Sequence, residues 1–356
     1  MNKLPDRLLL NGAWISKEDI VNLNPSGASA KDPLIGKTLN FLQEWFDDQG
    51  KILLKTSGST GHPKQIQVDK QKMVYSAAMT NTFFNIDENH KILLCLSPEF
   101  IAGKMMIVRA MLAGAELVTT SVDSNPIRTL KQAIDFSAMV PLQLASILNE
   151  TPEKLNLIKK LIIGGSAIPP YLEQQIQNVQ TDCWHTYGMT ETLSHVALRK
   201  MNRGDRSDYF VPLKGIDISE DERGCLMITI PYLSDQPIVS NDVVAIEKQG
   251  FKVLGRYDEV IITAGYKIHP GIVEDKLSPL IKQKFFIAPE ISVMAGQQVI
   301  LFIEDQLTMY DLFMLWDKLE KCLEPHEIPR RIVACDRFHY LPSGKLDKLK
   351  TIESYA

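Results

Sequence analysis

Hydrophobic and polar positions alternate along this chain in a way that predicts successive strands and helices. Short apolar runs typical of buried strands occur at 91–96, 116–120, 136–140, 160–163 and 182–186. Helical spacing predicts helices at 35–46, about 69–84, 97–113, 130–134 and 142–148. Because strands that alternate with helices usually form parallel sheets, we predict an α/β fold whose large N-terminal domain contains parallel-rich sheets with helices.

The pattern changes in the last third of the chain. The runs 224–230 and 242–247 are joined by polar turns and are typical of antiparallel strands. Beyond about residue 258, short strands at 291–294 and 299–303 accompany a helix at 309–323. A chain of 356 residues is long enough for two domains of roughly 150 residues each. We therefore predict an N-terminal domain at 1–257 and a small α+β domain at 258–356.

Composition narrows the class of protein. The chain is 45% hydrophobic and 23% charged, with a formal net charge of −4 and no long run of one charge sign. This balance argues against nucleic acid or a polybasic membrane contact as a partner. Neither a signal peptide nor an apolar run of membrane-spanning length is recognisable. The 5 cysteines are scattered without a C-x-x-C pair, which indicates reduced thiols in a cytoplasmic protein rather than a zinc site or a disulfide framework.

The segment 56–64, Thr-Ser-Gly-Ser-Thr-Gly-His-Pro-Lys, is the densest candidate for chemistry. Strand-like runs flank it at 51–55 and 65–68, which predicts a loop at the tip of a hairpin. Glycines let backbone N–H groups approach an anion, hydroxyls add donors, and a lysine adds charge. A Ser/Gly-rich surface turn is the alternative. The candidate phosphate-binding residues are Thr56, Ser57, Gly58, Ser59, Thr60, Gly61 and Lys64.

Two later strand ends carry further candidates. The strand at 160–163 ends in Gly164-Gly165-Ser166, and the strand at 182–186 ends in Tyr187-Gly188-Met-Thr190-Glu191. A tyrosine ring can stack on a base, a threonine hydroxyl can donate to a phosphate, and a carboxylate is a ligand that Mg²⁺ accepts. Taken singly, each could be an ordinary tight turn or helix cap.

The order of these motifs resembles the adenylate-forming superfamily, which contains acyl-CoA synthetases, peptide-synthetase adenylation domains and luciferases. The resemblance covers roughly residues 50–350. It implies that Gly164, Gly165 and Ser166 lie against adenine, with Tyr187 and Gly188 beside them. Asp242, in Ser240-Asn-Asp242, stands where the family binds the ribose hydroxyls. The N-terminal domain is trimmed relative to the family, whose phosphate loop lies further along the chain.

The resemblance also implies roles in the C-terminal part. Arg256 would bind ribose or phosphate, and Asp258 occupies the hinge position about which the small domain turns. Lys345, in Leu-Pro-Ser-Gly-Lys345, would bridge the attacking carboxylate and the α-phosphate. Thr190 and Glu191 complete the implied catalytic group, with Glu191 holding Mg²⁺.

The implied reaction joins a small carboxylic acid to CoA at the expense of ATP, through an acyl-AMP intermediate. Among the family's short members, the likeness is greatest to those that act on o-succinylbenzoate in menaquinone synthesis. A second carboxylate needs a cation beside the acyl pocket, and the candidates by position are Lys104, Arg109 and His195. Ile101 also borders the pocket and replaces a polar ring of the family.

Three alternatives stay open at this point. The chain could activate another aryl or fatty acid, load a carrier protein, or bind a nucleotide without catalysis.

Ala264, which stands where the family has a Gly-Gly pair, limits backbone freedom if that position requires a positive φ. Tyr266 and Lys267 also depart from the family on the thioester-forming face. Homo-oligomerisation is left open by the sequence.

Overall fold

The computed structural model describes residues 4–22, 32–55, 65–292, 296–341 and 346–355. The chain divides into two compact units. The first unit comprises Met1–Ile168, Gln175–Asp217 and Thr229–Ile238, and the second comprises Pro169–Gln174, Ile218–Ile228 and Val239–Ala356. The boundary predicted after residue 257 falls inside the second unit, and the division at that residue stays a prediction.

The first unit holds strands β1 to β11 and helices α1 to α5. The strands are β1 (Arg7–Leu10), β2 (Ala13–Ser16), β3 (Lys51–Lys55), β4 (Gln65–Asp69), β5 (Lys91–Leu94), β6 (Glu116–Thr119), β7 (Ile134–Met139), β8 (Ile158–Ile163), β9 (Asp182–Gly188), β10 (His195–Lys200) and β11 (Val211–Pro212). The helices are α1 (Lys17–Asn22), α2 (Pro33–Phe46), α3 (Lys70–Phe84), α4 (Ile101–Ala113) and α5 (Pro141–Glu150). Short 3₁₀ helices lie at Pro152–Leu157, Ile176–Asn178 and Thr190–Thr192.

A nine-stranded sheet organises this unit in the order β11-β10-β9-β8-β7-β5-β6-β1-β2. All neighbours from β9 to β1 pair in parallel, whereas β10, β11 and β2 pair antiparallel at the two edges. The predicted α/β fold with a parallel-rich sheet is confirmed. The edge hairpin of β1 and β2 was missed, because its strands are too short to show a clear period.

Helix α4 is buried on every side, from Gly103 to Met111. Its sequence is apolar all round except for Lys104 and Arg109, so the fold takes two cations into its interior. The helix begins at Ile101, later than the predicted residue 97. The helix predicted at 130–134 is wrong: Leu130 closes a turn with Ile127, and Ile134 opens β7, where the sheet buries its side chain completely.

The second unit contains strands β12 to β20 and helices α6 to α9. The strands are β12 (Asp217–Glu220), β13 (Cys225–Thr229), β14 (Ile238–Glu247), β15 (Gly250–Arg256), β16 (Ile261–Thr263), β17 (Tyr266–Ile268), β18 (Phe285–Ser292), β19 (Gly296–Glu304) and β20 (Arg331–Cys335). The helices are α6 (Pro170–Gln175), α7 (Pro270–Leu277), α8 (Met309–Cys322) and α9 (Lys348–Tyr355), and a 3₁₀ turn lies at Tyr257–Glu259.

Two sheets build the second unit. One has the order β12-β13-β14-β15, and the other has the order β17-β16-β19-β18, with β20 beside β19. Side chains of β19 alternate between two cores, as the period of a strand requires. Leu301 and Ile303 pack with residues of α7 and α8, whereas Ile300 and Phe302 pack with the other cluster, against which residues of α9 lie. The predicted α+β character of the C-terminal part is confirmed.

Among the described residues, no helix has both the length and the hydropathy that crossing a bilayer requires.

Candidate active site

The strands that flank the phosphate-loop motif form one hairpin. β3 and β4 pair antiparallel, with Lys51 opposite Asp69 and Lys55 opposite Gln65. The predicted pairing of these two runs is therefore confirmed. The candidate residues between them, and the candidate lysine near the C-terminus, lie outside the described residues: Thr56, Ser57, Gly58, Ser59, Thr60, Gly61, Lys64 and Lys345.

Gly164 stands where the end of β8 meets β9. A Cβ atom on Gly164 would lie 2.0 Å from Oγ1 of Thr186, so a side chain here collides with the neighbouring strand. The Gly164 amide donates to the carbonyl oxygen of Met139 at the end of β7 (3.1 Å). Gly165 follows with a φ of +94°, which L-residues rarely adopt. The two glycines thus bring three strand ends together at the carboxyl edge of the sheet, where ligands of α/β proteins bind.

A histidine that the sequence analysis missed fixes this edge. Nε2 of His185 lies 3.4 Å from the carbonyl oxygen of Ser166 and donates to it, while Nδ1 accepts from Nη2 of Arg199 (3.3 Å). Burial, and then the charge of Arg199, lower the pKa of His185 to about 3, so the ring is neutral. The rings of His185 and Tyr187, two positions apart on one face of β9, both pack on Phe210 at centroid distances of 5.0 and 5.8 Å. The spacing of two was the one feature of the sequence that connects them.

The turn after β9 is held by backbone crowding and by one hydroxyl. A Cβ atom on Gly188 would lie 2.4 Å from the carbonyl oxygen of Ser194, so glycine alone allows the two chains to pass. The Thr192 hydroxyl lies 2.9 Å from the Met189 amide, from which it accepts, and 2.7 Å from the Ser194 carbonyl oxygen, to which it can donate. Thr190 is half-buried in this turn and Glu191 is exposed.

The exposed Glu191 carboxylate fits the role of a Mg²⁺ ligand at a nucleotide. Among the described residues, no group of three or more His, Cys, Asp or Glu side chains is arranged to hold a metal ion. Mg²⁺ commonly takes only one or two carboxylates and completes its shell with substrate phosphates and water. The donor set at this turn therefore suits a metal that arrives with ATP.

Two of the acyl-pocket candidates lie together in the interior of the first unit. Arg109 is 1% exposed, and its Nη2 donates to Oγ of Ser194 (2.5 Å) while its Nη1 contacts Sδ of Met106 (3.5 Å). Oγ of Ser194 lies 3.4 Å from Nδ1 of His195, whose Nε2 lies 3.2 Å from Oγ1 of Thr80. Arg109, Ser194, His195 and Thr80 thus form a continuous polar chain between α4, β10 and α3.

The charge of Arg109 is not balanced by a carboxylate of the described residues, and its buried Nε has no hydrogen-bond partner among them. Burial lowers the pKa of Arg109 to about 9. Burial, and then the nearby guanidinium, hold the pKa of His195 well below its ordinary value, so this ring is uncharged. A buried cation without a counter-ion is destabilising by several kcal/mol. This arrangement therefore suits a site that receives an anionic group from a ligand.

Lys104 and Ile101 are placed differently. The ammonium of Lys104 lies 3.0 Å from the carboxylate of Glu44 on α2 and 4.6 Å from the ring centroid of Phe41. Its charge is thus already paired, which fits a structural role. Ile101 is half-buried at the first position of α4.

In the second unit, Asp242 and Arg256 lie opposite each other on β14 and β15. Nη1 of Arg256 is 3.6 Å from Oδ1 of Asp242, while Nε and Nη2 donate to the two carboxylate oxygens of Asp258, both at 2.9 Å. The hydrogen bonds with Arg256 lower the pKa of Asp258, and those with Asp258 raise the pKa of Arg256. The ribose candidates and the hinge candidate therefore share one ionic cluster.

The turn between β16 and β17 shows what the departure at Ala264 entails. Thr263 pairs with Tyr266, and the two residues between them, Ala264 and Gly265, have φ values of +46° and +86°. An alanine thus occupies a backbone conformation that favours glycine, as it would in a two-residue hairpin turn with positive φ at both positions. The Tyr266 ring stacks on His326 at 4.3 Å.

The sequence of this chain is similar to known AMP-binding enzymes. The sequence profile of the AMP-binding enzyme family matches residues 43–225, just over half of the chain. The 2-succinylbenzoate–CoA ligase of Salmonella typhimurium is 26% identical over 267 residues, which cover 71% of this chain and 58% of that protein. The chain therefore spans less than two thirds of the length of this relative.

Among the solved structures that resemble the chain, two illustrate the likeness. An acyl-CoA synthetase (AMP-forming)/AMP-acid ligase II-like protein from Dyadobacter fermentans is 31% identical, with a TM-score of 0.63 over 96% of this chain and 98% of that one. The o-succinylbenzoate coenzyme A synthetase (MenE) of Bacillus subtilis, solved with ATP and a magnesium ion, is 21% identical. Its TM-score is 0.68 over 84% of this chain and 69% of that one, which shows a shared fold.

Proposed function

The chain belongs to the AMP-binding enzyme family, and on this premise we propose that it is an AMP-forming acid–thiol ligase. In the first step, a carboxylate oxygen of the acid attacks the α-phosphorus of ATP, and pyrophosphate leaves with the electrons of the broken P–O bond. In the second step, the thiol sulfur of CoA attacks the acyl carbon, loses its proton and expels AMP. Both steps bring anions together, so positioning and charge neutralisation supply most of the catalysis.

The proposed binding surface for the nucleotide lies at the carboxyl edge of the large sheet. Gly164 and Gly165 present backbone without side chains, Ser166 follows them, and Tyr187 and Gly188 end the neighbouring strand, so this surface suits the flat adenine ring. Thr190 is proposed to donate to a phosphate oxygen. Glu191 would hold Mg²⁺, which supplies positive charge to the phosphates.

The remaining roles rest on the family resemblance of the motifs. Lys64 and the hydroxyls of its loop would bind the β- and γ-phosphates, and Lys345 would bridge the acid and the α-phosphate. In the second unit, Asp242 would accept both ribose hydroxyls and Arg256 would bind ribose or phosphate. Asp258 would be the hinge between the two half-reactions.

The acid is proposed to carry two carboxylates, with o-succinylbenzoate as the first candidate. The observation that carries this proposal is Arg109, a buried cation that no described carboxylate balances. A second carboxylate of the substrate would supply the missing counter-ion beside Arg109, Ser194 and His195. The Salmonella relative is a 2-succinylbenzoate–CoA ligase, which supports the same substrate class.

The test is pyrophosphate release by the full chain with ATP, Mg²⁺ and a panel of acids, each with and without CoA. The panel contains o-succinylbenzoate, 3-benzoylpropionate (which lacks the ring carboxylate), 2-butyrylbenzoate (which lacks the chain carboxylate), benzoate and a medium-chain fatty acid. We expect turnover with the diacid to exceed that with either mono-acid by at least tenfold, and acyl-CoA to form only when CoA is present.

Other outcomes identify the alternatives. Preference for a mono-acid would retain the ligase chemistry and reject the diacid. Pyrophosphate release without any acyl-CoA would favour transfer to a carrier protein. No pyrophosphate release with any acid, together with measurable ATP binding, would indicate a nucleotide-binding protein without ligase activity and would refute the proposal.

A further inference from the structure

The first turn of α9 directly follows the segment that carries Lys345. Residues 342–345 lie outside the described part of the chain, which includes Leu341 and Leu346 on either side. Tyr340 and Leu346 form an antiparallel β-bridge, and the Asp347 amide donates to the carbonyl oxygen of His339 (2.8 Å). Leu346 and Asp347, which directly follow residue 345 in sequence, are therefore hydrogen-bonded through their backbone to residues 339 and 340.

Lys348 joins this region to two other parts of the second unit. Its ammonium donates to Oε2 of Glu259 (3.0 Å) and lies 3.8 Å from Oε1 of Glu274. Glu259 belongs to the 3₁₀ turn Tyr257–Glu259, and Glu274 belongs to α7. One side chain thus connects three segments, two of which are 89 residues apart in sequence.

The two carboxylates depend on this ammonium. Glu274 also accepts from the Ile287 amide (2.8 Å), and burial raises its pKa. Burial opposes the charge of Lys348, but Glu274 and Glu259 together raise its pKa, so the ammonium stays protonated. Without Lys348, a partly buried carboxylate would face a second carboxylate with no cation between them, which is unfavourable.

The contact also reaches the hinge candidate. Asp258 is held on one side by the guanidinium of Arg256, and its sequence neighbour Glu259 is held by Lys348. Ionic contacts therefore flank the hinge candidate. Arg256 on β15 binds Asp258 itself, and Lys348 at the start of α9 binds the next residue, Glu259.

We propose that Lys348 is a positioning residue of the adenylation step, because it fixes the start of α9, and with it the residues next to Lys345, to the turn that contains the hinge. This role rests on the proposed function. A catalytic side chain must be held within about 0.5 Å of its productive place, and a displacement of about 1 Å can lower the rate roughly 100-fold. Lys348 supplies that restraint without touching the substrate.

The experiment compares Lys348→Met, Lys348→Arg and Glu259→Gln with the unsubstituted full chain. Two half-reactions are measured by single turnover: pyrophosphate release from ATP and o-succinylbenzoate, and acyl-CoA formation from CoA and chemically supplied acyl-adenylate. Lys276→Met is the matched control. Lys276 lies on α7, as Glu274 does, and its ion pair with Glu327 (2.7 Å) includes neither Lys348 nor Glu259.

We expect Lys348→Met to slow adenylation about 100-fold while supplied acyl-adenylate still reacts within about threefold of the unsubstituted rate. Lys348→Arg keeps the charge and the reach, so it should recover most of the adenylation rate. Glu259→Gln should produce a smaller selective loss, about tenfold, and because Glu259 is exposed this variant decides the question if Lys348→Met fails to fold. Lys276→Met should lower the melting temperature without changing the ratio of the two half-reactions.

Equal losses in both half-reactions for Lys348→Met and Glu259→Gln, or unchanged adenylation in both, would overturn the positioning role. The two proposals are separable. If the unsubstituted chain releases pyrophosphate and the Lys348 and Glu259 variants match it, only the role of Lys348 fails. If the unsubstituted chain releases no pyrophosphate with any acid, the proposed function is wrong, and the role of Lys348 that rests on it is wrong as well.

Discussion

Replacing Arg109 by methionine is the sharpest test of the acyl site, because the structure predicts effects of opposite sign on activity and on stability. In the free protein, Arg109 is buried without a carboxylate partner among the described residues. Methionine has a similar reach and carries no charge. We therefore expect Arg109→Met to fold, and to lose turnover of a diacid.

The size of the activity loss follows from the environment of the guanidinium. Removing one partner of a buried, hydrogen-bonded charge pair costs about 2–5 kcal/mol. At 1.36 kcal/mol for each factor of ten, kcat/KM for o-succinylbenzoate should fall roughly 30- to 5000-fold. The value for 3-benzoylpropionate, which lacks the second carboxylate, should stay the same or rise.

The stability of the free protein should move the other way. Exchanging buried charged groups for apolar ones is often neutral or stabilising, by about 1–4 kcal/mol. The melting temperature of Arg109→Met without ligands should therefore equal or exceed that of the unsubstituted chain. Saturating o-succinylbenzoate should raise the melting temperature of the unsubstituted chain and leave that of the variant unchanged.

Lys104→Met is the matched control on the same helix. Lys104 is also buried, at 6% exposure, but its charge is paired with Glu44. This variant should lose some stability and keep the ratio of kcat/KM values for the diacid and the mono-acid. Equal losses of diacid and mono-acid turnover in Arg109→Met, or an altered ratio in Lys104→Met, would refute the assignment of Arg109 to the second carboxylate.

Two further substitutions test the backbone of the site. Gly164→Ala places a Cβ atom 2.0 Å from Oγ1 of Thr186, so thermal melting should show a free energy of unfolding lower by about 1–3 kcal/mol, and ATP should bind more weakly. The double variant with Thr186→Ala should regain part of the stability and of the ATP affinity. Purely additive effects of the two substitutions would contradict the clash. Ala264→Gly relieves a φ of +46°, so denaturant titration should show a gain of up to about 1 kcal/mol, and a loss would contradict the strain assigned to this turn.

The sequence determined the class of fold and the family to which the chain belongs. Strand and helix periods predicted a parallel-rich sheet, since each period reports which side chains face the core. Motifs such as the double glycine at 164–165 were recognisable in the sequence, because glycine allows a close backbone approach; the structure showed that Thr186 on β9 is the group that approaches. The order of these motifs was enough to indicate an adenylate-forming enzyme.

Local patterns were insufficient where distant contacts decide the outcome. The run at 130–134 has helical spacing, yet Ile134 joins β7 because the sheet buries its side chain there. No role was predicted for His185, because its contacts with the Ser166 carbonyl oxygen and the Arg199 guanidinium arise only when the chain folds.

Lys104 and Arg109 show the division most clearly. The sequence marked both as cations on one apolar helix and offered no way to separate them. The tertiary structure pairs Lys104 with Glu44 and leaves Arg109 beside Ser194, 85 positions away, without a carboxylate among the described residues. The energy of a buried charge depends on the partners that folding brings to it, so only the folded chain separates the paired Lys104 from Arg109, which we propose as the partner of a substrate carboxylate.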